Sequence, residues 1–142
     1  MHARDTHYYL AKSDTEYAAC LSMPEAQEQP APARGLPLIY AERAQTIIGW
    51  LSLYWEADGI PIVGTLVIAQ GLSTGHFVAF RLMQTLEDFL LRFGIETYLI
   101  PLKNDDPPTW HRAMVRICGP GVSSPHEQQW YVRRLRATVL SR

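Results

Sequence analysis

Residues 60–93 constrain the fold more than any other part of this chain, reading IPIVGTLVIA, then QGLSTG, then HFVAFRLMQTLEDFLLRF. The first piece is apolar, rich in β-branched residues and bounded by turn residues, which predicts a buried strand. The last piece puts Ala79, Leu82, Met83, Leu86, Phe89, Leu90 and Phe93 on one side and Arg81, Gln84, Thr85, Asp88 and Arg92 on the other. That spacing is the 3.6-residue period of an amphipathic helix, which begins near Gly75 and is closed by Gly94. A strand that feeds a helix through a small-residue turn leaves backbone N–H groups at the helix start, and these suit an anion such as a pyrophosphate.

The rest of the chain supplies a setting for this unit. Its 142 residues, 47% hydrophobic and 19% charged, are those of a single globular domain able to bury a core without staples. A net charge of −1 argues against a general nucleic-acid binder. The charge is uneven: Lys and Arg against Asp and Glu count 7 to 13 over residues 1–108 and 6 to 1 over residues 109–142. Arg133, Arg134, Arg136 and Arg142 make a basic tail, either a solvated face or a contact for an acidic partner. Cys20 and Cys118 have no framework spacing, so a reducing compartment is expected. His2, His7, His76, His111 and His126 are scattered, and no metal site is expected. The N-terminal MHARDTHYYL lacks the apolar stretch of a signal peptide, and residues 60–69 are too short to span a bilayer. A cytoplasmic protein is the expectation.

Residues 7–12 read as an opening strand, and Ser13 with Glu16 as the capping box of a short helix. PEAQEQPAPARGLP, residues 24–37, is a Pro-rich surface loop or a broken helix. Strands are predicted at 37–43, 46–55 and 60–69, the last two joined by a hairpin turn carrying Asp58-Gly59. After the long helix come a strand at 97–102, a helix from about Thr109 to Cys118, the loop VSSPHEQ, and a last strand from Gln129. Trp50 and Tyr54 share one strand face and are assigned to the core. The order predicts an α+β fold: a mixed, mostly antiparallel central sheet with helices on both faces.

This order resembles the GCN5-related N-acetyltransferase (GNAT) family, whose members pass an acetyl group from acetyl-coenzyme A to an amine. The resemblance spans Tyr8 to Leu135. The family's phosphate motif, R/Q-x-x-G-x-G/A, fits here in two registers. Gln70 can begin it, as Q-G-L-S-T-G, or Thr74 can, as T-G-H-F-V-A. The second aligns the apolar stripe of the helix with the family's stripe and is the one adopted. The resemblance then implies acetyl-CoA as cofactor, held by Thr74, Gly75, His76, Phe77, Val78 and Ala79. It adds the main chain of Val67, Ile68 and Ala69 beside the thioester, and Asn104 after the following strand. Acetyl-CoA is expected to enter between strands 60–69 and 97–102. Phe77 stands where the family has its central glycine, which predicts crowding of the phosphate oxygens. Trp110, His111, Arg112 and Gly119 look like the corresponding run in small GNAT-like proteins of tailed bacteriophages.

Acetyl transfer by direct attack needs a deprotonated amine, a positioned thioester and a donor to the developing oxyanion. The third meander strand has no acid, so His111 is the candidate base, with Tyr131 as acid for the leaving thiolate. Glu56, in the hairpin turn, reads as a solvated residue, and His76 either touches phosphate or faces solvent. The expected partner is an amine, small-molecule or protein. The alternative is a catalytically degenerate GNAT-fold protein serving as a protein-binding or phage virion or assembly component.

Overall fold

The computed structural model describes residues 5–27, 37–55, 59–72, 75–101, 112, 114, 116, 122–123 and 129–135. Two compact units divide the chain, one made of Met1–Tyr54 and Gly64–Phe89, the other of Trp55–Val63 and Leu90–Arg142. Strands β1 (Thr6–Leu10), β2 (Leu38–Arg43), β3 (Thr46–Trp55), β4 (Pro61–Ile68), β5 (Thr97–Pro101), β6 (Val122–Ser123) and β7 (Gln129–Arg134) follow in chain order. Helix α1 (Asp14–Leu21) and a single 3-10 turn (Pro24–Ala26) lie between β1 and β2, and helix α2 (Gly75–Arg92) lies between β4 and β5.

In the first unit β1, β2, β3 and β4 are neighbours in that order. β1 runs antiparallel to β2 with Tyr9 opposite Tyr40, and β2 antiparallel to β3 with Tyr40 opposite Trp50. The β2–β3 register shifts by one residue between Ala41 and Glu42. One face carries Leu38, Tyr40, Trp50 and Val67, and α1 with its 3-10 turn covers it through Cys20, Met23 and Ala26. Trp50, 1% exposed, donates its indole N–H to the Cys20 carbonyl at 2.9 Å. The core role assigned to Trp50 is therefore what the structure shows. α2 lies on the other face: a side chain built at Gly49 would meet Leu82, and the Arg81 guanidinium lies 5.6 Å from the centre of the Tyr8 ring.

Helix α1 begins as the sequence predicts. The Ser13 hydroxyl accepts from the Glu16 N–H at 3.2 Å, and the Glu16 carboxylate reaches back to the Lys12 N–H at 2.9 Å. Helix α2 ends at Gly94, where the Ile95 N–H returns to the Leu90 carbonyl at 3.0 Å.

In the second unit β4 runs parallel to β5, with Ile62 opposite Leu99, and β5 antiparallel to β7, with Ile100 opposite Tyr131. The loop predicted at 122–128 contains a strand at its start: Val122 and Ser123 pair with Trp130 and Gln129. Two residues are too short for a period-2 pattern, which is why the sequence reads as loop. Residues 112, 114 and 116 are helical, inside the predicted helix, whose ends lie outside the described residues. The helices on both faces and the mixed, mostly antiparallel sheet are the α+β architecture that the sequence predicts.

Candidate functional site

The site is built on the end of β4, the turn and the start of α2. Strand β4 is irregular in its middle. The Thr65 N–H donates to the Ser52 hydroxyl at 2.9 Å, a side chain standing in for a ladder carbonyl. A side chain at Gly64 would meet Ser52 and Tyr54, while Val67, three residues on, packs on that same α1-covered face. Residues three apart in an unbroken strand face opposite ways, so β4 carries a one-residue bulge between them.

Beyond the bulge the main chain is regular again. The Ala69 N–H donates to the Ile48 carbonyl at 2.9 Å, and the Val67 carbonyl lies 3.0 Å from where a Cβ on Gly49 would stand. Both groups therefore point toward β3. Main-chain groups alternate from residue to residue, so the Ile68 N–H points away from β3. Of the three residues expected beside a thioester, Ile68 is the one whose donor turns outward.

The turn follows at once. Gly71 has φ +79, in the left-handed region that glycine adopts without strain. The Gly75 N–H donates to the Leu72 carbonyl at 3.3 Å, and a Cβ on Gly75 would lie 3.3 Å from Ile68 Cγ2. The helix start is thus folded back onto the last residue of β4. No acidic residue lies in the first turn of α2. Val78 and Ala79 are buried, main chain included, at 0% and 4% exposure. Phe77 is 63% exposed.

The remaining predicted residues are brought together less fully. His76 is in the first turn of α2, but its side chain lies outside the described residues, as do Thr74, Asn104, His111 and Glu56 altogether. Tyr131 is a β7 residue whose side chain is likewise undescribed. Among the described residues no group of His, Cys, Asp and Glu is arranged to hold a metal, and no helix is long and apolar enough to cross a membrane.

Sequence reasoning missed one residue here. Glu25, in the 3-10 turn after α1, accepts the Gln70 N–H on its Oε2 at 2.8 Å. That bond, with a second from its own backbone N–H, holds the carboxyl below the usual glutamate range. Nothing local in PEAQ signals the contact, because the partner lies 45 residues away. A second carboxylate, Glu16, accepts from the Tyr40 hydroxyl. A cavity lined by Lys12, Asp14, Tyr17 and Phe89 lies at the start of α1, apart from the β4 turn.

No protein-family model matches the sequence, and no curated protein matches it either. Solved structures do match in fold. An N-acetyltransferase from Staphylococcus aureus Mu50 superposes with a TM-score of 0.65 at 8% identity, covering 92% of this chain and 97% of that one. The ribosomal-protein-S18-alanine N-acetyltransferase from Escherichia coli gives 0.62 at 9% identity, over 91% and 93%. The PaiA N-acetyltransferase from Thermoplasma acidophilum, solved with coenzyme A, gives 0.56 at 12% identity, over 68% and 59%. The fold is that of the GNAT N-acetyltransferases.

Proposed function

We propose that this chain is an acyltransferase that moves an acetyl group from acetyl-CoA to an amine. The observation that carries the reading is the join of β4 to α2: an outward Ile68 N–H, a glycine turn and a helix start free of acidic side chains. The coenzyme A bound in a protein of the same fold supports it. These residues fit a pantetheine and pyrophosphate, because what such a ligand asks for is main-chain donors and a helix N-terminus. Acetyl-CoA would supply an acyl group activated as a thioester.

Every other role falls to the protein. The main chain of Val67, Ile68 and Ala69 orients the ligand, with the Ile68 N–H directed at a carbonyl oxygen on the outer side of β4. The N–H groups from Thr74 to Phe77 hold the phosphates, with Asn104 as a further contact. His111 takes the proton from the amine and Tyr131 returns one to the thiolate. The domain is a single cytoplasmic one in this reading, acting on a small-molecule or protein amine.

Calorimetry tests the binding step: acetyl-CoA and CoA are expected to give heat at about millimolar ligand or below, and the absence of any heat would end the proposal. His111→Ala is expected to lower turnover about a hundredfold or more with CoA affinity unchanged, the usual size of general-base effects. A second reading, a protein-binding or phage virion or assembly component without turnover, is favoured by the Glu25 carboxylate standing on the turn. Turnover that collapses in His111→Ala would count against it.

A further inference from the structure

The turn after β4 already holds an anion, and the anion belongs to the protein. Glu25 Oε2 sits 2.8 Å from the Gln70 nitrogen. Gln70 is two residues beyond Ile68, a span of about 7 Å along extended chain. Ile68 in turn touches the helix start, since a Cβ on Gly75 would lie 3.3 Å from its Cγ2. Those links reach on the order of 13 Å or more, so what the carboxylate touches is the Gln70 N–H at the start of the turn and not the helix end. A negative charge already seated on that N–H opposes a second one arriving there.

The geometry points to Glu25 as the residue that sets how strongly this turn accepts a phosphate-bearing ligand: its carboxylate competes with a pyrophosphate for the Gln70 N–H, the donor at which the Gln70 register of the phosphate motif begins. This rests on the acyl-CoA reading and adds to it a specificity residue outside the β4–α2 unit. The 3-10 turn is tied to α1 by the Met23 N–H on the Cys20 carbonyl at 3.3 Å, and its core is anchored by Met23 and Ala26. The backbone that carries Glu25 is thus held, and its bond to Gln70 lies at the surface, where an arriving ligand can displace the carboxylate. Glu25→Gln keeps a carbonyl oxygen to accept the Gln70 N–H and removes only the charge. Glu25→Ala removes both.

The test is calorimetry on the full chain with two probes, CoA and pantetheine, the latter without phosphate. Binding is measured for the parent, Glu25→Gln and Glu25→Ala, at low and high salt. Both variants are expected to bind CoA about three- to tenfold more tightly than the parent at low salt, the size of one screened surface charge. The gain should shrink at high salt, and pantetheine affinity should not change. In parallel, the Gln70 amide resonance of the parent should shift when Glu25 is protonated and shift again when CoA is added. Equal or weaker CoA binding in Glu25→Gln would overturn the assignment of Glu25 and leave the acyl-CoA reading intact. Failure of both probes to bind any of the three proteins would remove the acyl-CoA reading, and this inference with it.

Discussion

Helices α1 and α2 cover opposite faces of the same strands, and they are held there by different forces. α2 presents Val78, Ala79, Leu82, Met83 and Leu86 to the sheet, each less than 5% exposed. Its attachment is area removed from water, spread over about two and a half turns. α1 is eight residues long and buries one of its own, Cys20. What fixes it is a set of directed bonds: Ser13 with Glu16 at its start, Glu16 with the Tyr40 hydroxyl, and the Trp50 indole on the Cys20 carbonyl. An isolated helix of that length is not stable in water. The difference teaches that the long helix is a scaffold and the short one a positioned arm, which delivers Glu25 to the turn.

Substitutions can break each attachment separately. Leu82→Ala, at a fully buried position on α2, is expected to cost about 2–5 kcal/mol in urea unfolding. A cost below about 1 kcal/mol would mean that α2 is not held by its apolar face. Trp50→Phe removes the indole donor from the Cys20 carbonyl, which keeps the Met23 N–H, for a loss of about 0.5–1.5 kcal/mol. It should also raise amide exchange in α1 and leave α2 protected; equal loosening of both helices would erase the contrast. Ser13→Ala removes the cap and is expected to cost about 1 kcal/mol.

The smallest effect is a pH dependence. The Glu16 carboxyl is held below its ordinary value of 4.5, first by the Tyr40 hydroxyl and then by the Lys12 N–H. A lowered carboxyl favours the folded state above the unfolded-state value, and that contribution is lost as pH falls through the folded one. Tyr40→Phe removes the leading cause, so the parent should lose more stability than the variant on acidification below about pH 4.5. Identical acid limbs in the two unfolding profiles would show that the bond does nothing for α1.

Much of this arrangement was legible in the sequence. The bounds of β3 match the predicted ones at both ends, and α2 starts at Gly75 as read, because both segments are long and strongly periodic. The capping box was legible from two residues three apart, since its physics is local. The short β6 and the bulge in β4 were not, because neither leaves a periodic trace; they are set by the partner strand or by a hydroxyl on β3. At the site, the turn and its glycines were visible. The donor pattern was not, because which N–H turns outward depends on pairing with Ile48. Glu25 was invisible for the same reason, lying in a Pro-rich run whose composition says nothing about a contact with Gln70. Cys20 is a core residue whose thiol is pushed up to about 12 by burial, with Glu16 nearby, which its spacing from Cys118 does not disclose.

The bonds that hold α1 and its 3-10 turn span 24, 30 and 45 residues of chain. Each closes a loop whose entropy is spent before the bond forms, and they need β2, β3 and the end of β4 in place respectively. The arm is therefore expected to dock after the rate-limiting step of folding. Mutations in it should leave the refolding rate nearly unchanged and appear as faster unfolding, with φ-values near zero, whereas those in α2 and the meander slow folding itself. The residue that guards the turn would then be among the last to arrive and the first to leave.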